Sequence, residues 1–150
     1  MIDIQEYLSP DRSALLPLLL IGDEDARQVA LYIDSGRAFV AKQQDTIIGV
    51  VLVITAEAET IEIKNLAVTP DLQGTGIGTA LVEFVDTYYA HAATRVIVGT
   101  GDADVQNILF YLKRGFRFYA VKHGFFAAYA TPIVANGVTL QDMVMLEKSI

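Results

Sequence analysis

The chain predicts a mixed α/β domain whose strands are joined largely by hairpins, and three observations carry that prediction. Strand-like and helix-like segments follow in the order β α α β β β α β α β β, with runs of consecutive strands that a strict βαβ winding would not contain. A glycine loop, Gly74-Thr75-Gly76-Ile77-Gly78, joins a short apolar strand to a helix that is apolar from its first turn. The strand ahead of that loop changes apolar phase midway, Ile61 and Ile63 being followed by Leu66 and Val68. One inserted residue is what a β-bulge supplies, and a bulge near Asn65 would kink this strand from its neighbour and open a wedge before the loop. A central strand covered on both faces needs no alternation and accounts for the same residues.

Each element has its own signal. Residues 2–7 read as a first strand. Segments 11–21 and 23–34 read as helices, each opened by an aspartate at a plausible N-cap and the second closed by Gly36. Residues 37–42 and 46–55 are rich in β-formers and flank a tight turn at 43–45, which predicts a hairpin. Residues 60–68 give the next strand, 77–92 the helix after the glycine loop, and 95–100 a short buried strand. Residues 102–114 read as a helix stopped at Gly115, and 116–121 as a strand. The tail turns at Asn136-Gly137 and reads as a last hairpin carrying residues 140–146. No repeat, linker or low-complexity tract interrupts the chain, so residues 1–150 are expected to form one domain.

Composition narrows the function classes. The 150 residues are 53% hydrophobic and 19% charged. The longest apolar stretches, 14–21 and 47–55, fall short of the roughly 20 residues a bilayer helix needs, so no membrane association is expected. Asp3 and Glu6 stand where a secretory signal would carry positive charge, which points to a cytoplasmic protein. There are no cysteines, which removes disulfides, thiolate nucleophiles and cysteine zinc sites together. The two histidines, His91 and His123, have no ligand-spaced companions, so no metal is expected. A net charge of −7 without any lysine or arginine run argues against a nucleic-acid partner and favours cationic small molecules.

The glycine loop carries the chemistry. Successive glycines let consecutive N–H groups turn toward one concavity, here at a helix N-terminus, where unpaired N–H groups and the macrodipole favour a phosphate or pyrophosphate. Walker A needs a lysine after its last glycine, and none follows here. The dinucleotide fingerprint needs wider glycine spacing after a first strand. What remains, besides a glycine-rich turn that merely packs helix on strand, is Gln73-x-x-Gly76-x-Gly78 after Val68-x-Pro70. This resembles the pyrophosphate loop of the GNAT (Gcn5-related) N-acetyltransferase superfamily.

The resemblance extends to Phe110-Tyr111-Leu112-Lys113-Arg114-Gly115-Phe116, similar to the family's helix ending in a tyrosine with Gly-Phe four residues on, and to the strand order. It covers essentially the whole chain, most strongly residues 60–119, and the tail looks like a small bacterial branch. It implies a GNAT fold: a predominantly antiparallel sheet with helices on both faces and a bulged fourth strand splayed from the fifth. It also implies acetyl-CoA as co-substrate. Backbone groups of Leu66, Ala67 and Val68 would pair with the pantetheine arm like an added strand. N–H groups of Gln73, Gly74, Thr75, Gly76, Ile77, Gly78 and Thr79 would hold the pyrophosphate. Tyr111 would protonate the departing thiolate, against the alternative of a core tyrosine. Glu62 matches the position of a general base, against that of a solvated strand residue.

The chain also departs from the family. Its frequent asparagine seven residues before the tyrosine is Asp104 here, which suits a helix cap, while Asn107 is left as the side chain that would reach the pantetheine. Asp23, Glu24 and Asp25 lie where relatives form an acceptor lid and also suit helix starts. Tyr32, Phe125, Phe126 and Tyr129 are candidates for an acceptor wall or for the core. Without a cysteine or a Gly-x-Ser-x-Gly elbow, transfer would be direct to a primary amine, most simply of a small cationic molecule. A protein lysine or N-terminus is the alternative acceptor, and a non-catalytic acyl-CoA sensor the alternative function. The C-terminal hairpin would suit a homodimer contact.

Overall fold

The computed structural model describes all 150 residues. Strand β1 (Asp3–Glu6) leads through a 3-10 turn (Ser13–Leu15) into helices α1 (Leu16–Gly22) and α2 (Ala26–Tyr32). Strands β2 (Arg37–Gln43), β3 (Thr46–Glu57) and β4 (Thr60–Val68) form a meander. Helix α3 (Ile77–Tyr89), β5 (Arg95–Gly101), α4 (Val105–Lys113) and β6 (Arg117–Lys122) follow. The chain ends with a two-stranded ribbon, β7 (Val134–Ala135) and β8 (Val138–Thr139), and with β9 (Met143–Ser149). Seven strands share one sheet in the order β1-β2-β3-β4-β5-β9-β6, antiparallel throughout except for β4 and β5.

Helices cover both faces, which explains why β3 is apolar almost without interruption. Its alternate residues Val51 and Val53 pack with Leu81, Val82 and Val85 of α3 in one buried cluster. Val50 and Leu52, pointing the other way, join Leu18 and Leu19 of α1 and Val29 of α2 in a second. The β2–β3 turn is tight because Gln44 and Asp45 both take positive φ, 49° and 67°, the twist a two-residue hairpin loop requires.

Three expectations are corrected. The first helix begins only at Leu16, after the 3-10 turn, and Asp11 accepts from the Ser13 amide without capping it. Asp25, not Asp23, caps α2, its carboxylate accepting from the Arg27 and Gln28 amides, and the helix ends at Tyr32, before Gly36. The tail is not one hairpin. Asn136 and Gly137 turn only the small β7–β8 ribbon, while β9 inserts between β5 and β6 and pairs with both. The local alternation of residues 140–146 cannot reveal that, because the partners of β9 lie in earlier parts of the chain.

The phase slip in β4 is a bulge. Leu52 pairs with Asn65 and Val53 with Ile63, leaving Lys64 without a partner on β3. The strand is also covered on both faces, so both readings of its sequence hold at once. Beyond the bulge β4 stays with β3 as far as Val68. Its parallel pairing with β5 stops at Ile63 and Val98, and β5 continues with β9 to Gly101. The sheet therefore splits into a wedge between Leu66–Val68 and Val98–Gly101.

Candidate active site

Strand parity decides which backbone groups enter the wedge. The Thr69 amide donates to the Ile48 carbonyl at 2.9 Å, so alternate residues back along β4 face β3 and the others face away. Ala67 is thereby committed to the β3 ladder, whereas Leu66 and Val68 turn toward the space β5 has vacated. Gln73 ties loop to strand, its Nε2 donating to the Val68 carbonyl at 3.0 Å. A cavity of about 150 Å³ occupies the wedge, with Leu66, Val98, Asp104, Asn107 and Tyr111 among its walls.

The loop at the wedge mouth is shaped for approach from outside. Pro70–Leu72 makes a 3-10 turn, and the Thr75 hydroxyl donates back to the Leu72 carbonyl at 2.5 Å. Gly74 and Gly76 take φ of 77° and 97°. Gly76 is the N-cap of α3 and offers no side chain to its first N–H groups, which stay free for an anion. A Cβ at Gly74 or Gly76 would touch nothing in the chain, so packing does not explain these two glycines. Gly78 does pack, with its α-carbon side set against the Phe110 ring. Thr79 in the first turn accepts from the Arg114 guanidinium, which also lies 5.2 Å from the Phe110 ring centre. A cation thus stands beside the loop in a strongly acidic chain.

Tyr111 is held by ring edges, with Phe110 at 5.1 Å and Phe116 at 5.4 Å between centroids. It is 6% exposed and lines the cavity, and its hydroxyl has no hydrogen bond from the chain. Burial, reinforced by Asp104, raises its pKa well above the ordinary phenol value, so the hydroxyl keeps its proton. Asp104 caps α4 through the Asn107 amide, and its other oxygen accepts from the Asn107 side chain at 2.9 Å.

Glu62 lies on the other side of the bulge. It is half-buried and forms no ion pair, and it lines a second cavity of about 280 Å³ with Gln28, Leu31, Tyr32 and Phe125. The two cavities adjoin, with Asp23, Ile63, Lys64, Gly99, Tyr129 and Met143 in the walls of both. At that junction Asp23 accepts from Tyr32 at 2.8 Å and from Tyr129 at 2.9 Å, one hydroxyl to each oxygen. Burial first and Asp23 second raise the pKa of Tyr129. Tyr32 is raised mainly by burial. Both therefore act as fixed donors. Asn65 extends the chain of bonds, donating to the Tyr32 oxygen at 3.0 Å and to the Leu19 carbonyl at 2.9 Å. A Cβ on Gly22 would overlap Asn65 Oδ1, so glycine there permits the contact. Asp25 fastens the same lid by accepting from the Ala130 amide at 2.8 Å.

The sequence reading named Tyr32, Tyr129 and Asp23 separately and missed their convergence; it gave Asn65, Gly22 and Arg114 no site role. The only advance signal was that Asn65 sits at the phase slip. His91 and His123 are exposed and line neither cavity. No three acidic or histidine side chains converge on a metal-sized site, and no helix is long and apolar enough to cross a membrane.

A bulged strand splayed from its parallel neighbour, with a glycine loop and a helix N-terminus at the mouth, defines an acyltransferase architecture of the GNAT type. The acetyltransferase (GNAT) domain family matches residues 34–118. The N-acetyltransferase YvbK of Bacillus subtilis is 34% identical over 134 residues, which cover 88% of this chain and 86% of YvbK. Among solved structures, a GNAT family acetyltransferase from Elizabethkingia anophelis with acetyl-CoA bound superposes with a TM-score of 0.93 at 30% identity, covering 99% of this chain and 98% of that one. The IAA acetyltransferase from Bacillus cereus gives a TM-score of 0.91 at 34% identity over the whole of both chains. A Bacillus subtilis acetyltransferase in complex with CoA gives 0.89 at 30% identity, covering 100% and 99%. The chain belongs to the GNAT acetyltransferase family and is an N-acetyltransferase.

Proposed function

We propose that this protein, acting as one domain over residues 1–150, transfers an acetyl group from acetyl-CoA directly to the primary amine of a small molecule. The observation that carries this is the pair of adjoining cavities: one lies in the wedge beside Leu66 and is lined by Tyr111, the other is lined by Glu62, and they share Asp23. The co-substrate is acetyl-CoA, which supplies the acetyl group as a thioester with a good leaving sulfur. The unpaired edge of β4 fits it: Leu66 and Val68 present main-chain groups where a pantetheine arm can pair as a strand would. Gln73 through Thr79 offer the amides for the diphosphate, with Arg114 adding charge, and Asn107 stands at the cavity wall within the same reach.

The proton balance assigns the two side chains. An ammonium acceptor has no lone pair, so Glu62 takes one proton from it, directly or through water, before nitrogen bonds to the acetyl carbon. The carbon–sulfur bond breaks with its electron pair left on sulfur, and the second proton of the amine passes to water as the amide forms. Tyr111 lines the wedge cavity, where its hydroxyl would reach the thioester sulfur. An ordinary thiol titrates at about 8.5 and an ordinary phenol at about 10, and burial pushes Tyr111 higher still. Its chief contribution is therefore a hydrogen bond that stabilises the charge growing on sulfur, with solvent completing the protonation.

The small volume of the acceptor cavity and its lid of aromatic residues favour a small molecule over a peptide. Asp23 and Glu62 favour the ammonium end of that molecule. The test is acetyl-CoA consumption across a panel of primary amines, run beside CoA-dependent thermal stabilisation. Turnover of at least one small amine, reduced in Tyr111→Phe while CoA still stabilises the protein, is expected. Tight CoA binding with no turnover of any amine would replace the enzyme with a CoA sensor.

A further inference from the structure

Lys64 is the residue the β4 bulge leaves unpaired, and its side chain lines both cavities. It is half-buried, its ammonium lies 5.4 Å from the Tyr32 ring centre, and no carboxylate stands within ion-pair distance. Glu62, two residues earlier on the wall of the larger cavity, is equally without a partner. Opposite charges two residues apart on a regular strand share a face and pair readily. Here both line the larger cavity and no ion pair joins them, so one free ammonium and one free carboxylate stand in the same small space. Asp23, the third charge, is already satisfied by two tyrosine hydroxyls.

A half-buried cation that faces only an aromatic ring has lost water without gaining a counter-ion. The remaining walls of the larger cavity are largely apolar, including Leu31, Ile63, Phe125 and Met143. We infer that the acceptor is an amino acid: an amine and a carboxylate on one small apolar body, with the carboxylate bound by Lys64 and the ammonium directed to Glu62 and Asp23. An acceptor with amine groups alone would place its ammonium beside Lys64 and meet repulsion. An amino acid satisfies every free charge in the cavity with one molecule. This inference rests on the proposed transfer to a small amine and adds to it the second charged group of the substrate.

The experiment compares leucine, methionine and phenylalanine with their amides and with the corresponding decarboxylated amines as acetyl acceptors. The amides are the demanding control, because their less basic nitrogen is more available as free base and intrinsic reactivity favours them. The free acids are expected to exceed both controls in kcat/KM by at least about tenfold, the worth of one charge-assisted hydrogen bond. Lys64→Met should raise KM for the acids by a similar factor and draw the acid-to-amide ratio toward one, and Lys64→Arg should restore much of the ratio. If wild type acetylates amides or amines as well as acids, or if Lys64→Met leaves the ratio unchanged, the inference is overturned and the transferase reading stands. If none of these compounds is acetylated but other small amines are, this inference alone falls; if no amine is, both fall. The wild-type substrate comparison decides the matter even where Lys64→Met folds poorly.

Discussion

Between Leu66 and Thr79, the groups aimed at the wedge and its mouth are main-chain amides from one continuous stretch. Across the wedge, Asp23, Tyr32, Asn65 and Tyr129 meet as side chains from four separate places, Tyr129 lying 106 residues from the Asp23 it holds. The first site is built from dihedral angles, which glycine and the bulge set locally. The second is built from packing: α1, α2, β4 and the segment after β6 must all be in place before it exists. A site made of backbone resists change at most of its side chains and fails when a glycine is replaced. A site made of side chains can change specificity one residue at a time while the fold persists.

Four substitutions would break or sharpen that contrast. Tyr111→Phe, between the two halves, should have the largest effect. Losing a hydrogen bond to developing charge, about 1.5–3 kcal/mol, corresponds to a fall in kcat of about 10- to 150-fold. CoA-dependent thermal stabilisation should survive, and its loss would make Tyr111 structural instead. Gly76→Ala acts on the cofactor half alone. A left-handed conformation costs an ordinary residue about 1–2 kcal/mol, so CoA affinity by calorimetry should weaken about 5- to 30-fold. The acceptor KM at saturating acetyl-CoA should stay where it was, and a parallel rise would mean the halves are coupled.

Tyr129→Phe acts on the acceptor half, removing one of the two hydroxyls on Asp23. An increase of about fivefold in acceptor KM is expected from about 1 kcal/mol, with CoA affinity unmoved. Smallest is the acid response of the lid. The Asp25 carboxyl is held below its ordinary 3.8, first by the Ala130 amide. A depressed carboxylate stabilises the fold fully above its unfolded value and loses that contribution as pH falls through the lowered one. Melting temperature should therefore drop on acidification below about pH 4, and Asp25→Asn should show a shallower drop. An identical acid limb in the variant would place the sensitivity elsewhere.

The same contrast governs how much was legible in advance. The phase slip was readable from Ile61, Ile63, Leu66 and Val68, but a bulge and a strand covered on both faces explained it equally until the pairing with β3 was in hand. Asp104 as the α4 cap was readable because capping is a matter of three residues. The α2 cap was misplaced by two residues because Asp23 and Asp25 are chemically alike. Only the approach of residue 130 to Asp25, and of two tyrosines to Asp23, separates their roles. The place of β9 escaped for a related reason: its alternation states that it is a strand, not which strands flank it.

By itself the sequence determined the class of fold, a phase slip in β4 and a glycine loop running into a helix N-terminus, since each follows from steric and hydrogen-bonding rules acting over a few neighbouring residues. Only the tertiary structure decided that Ala67 belongs to the ladder while Leu66 and Val68 face the wedge. It also decided that Asp23 is clamped and that Lys64 and Glu62 stand unpaired in one cavity. Each depends on partners far off in the chain, placed by how two cores pack on opposite faces of a sheet, and no local pattern encodes them.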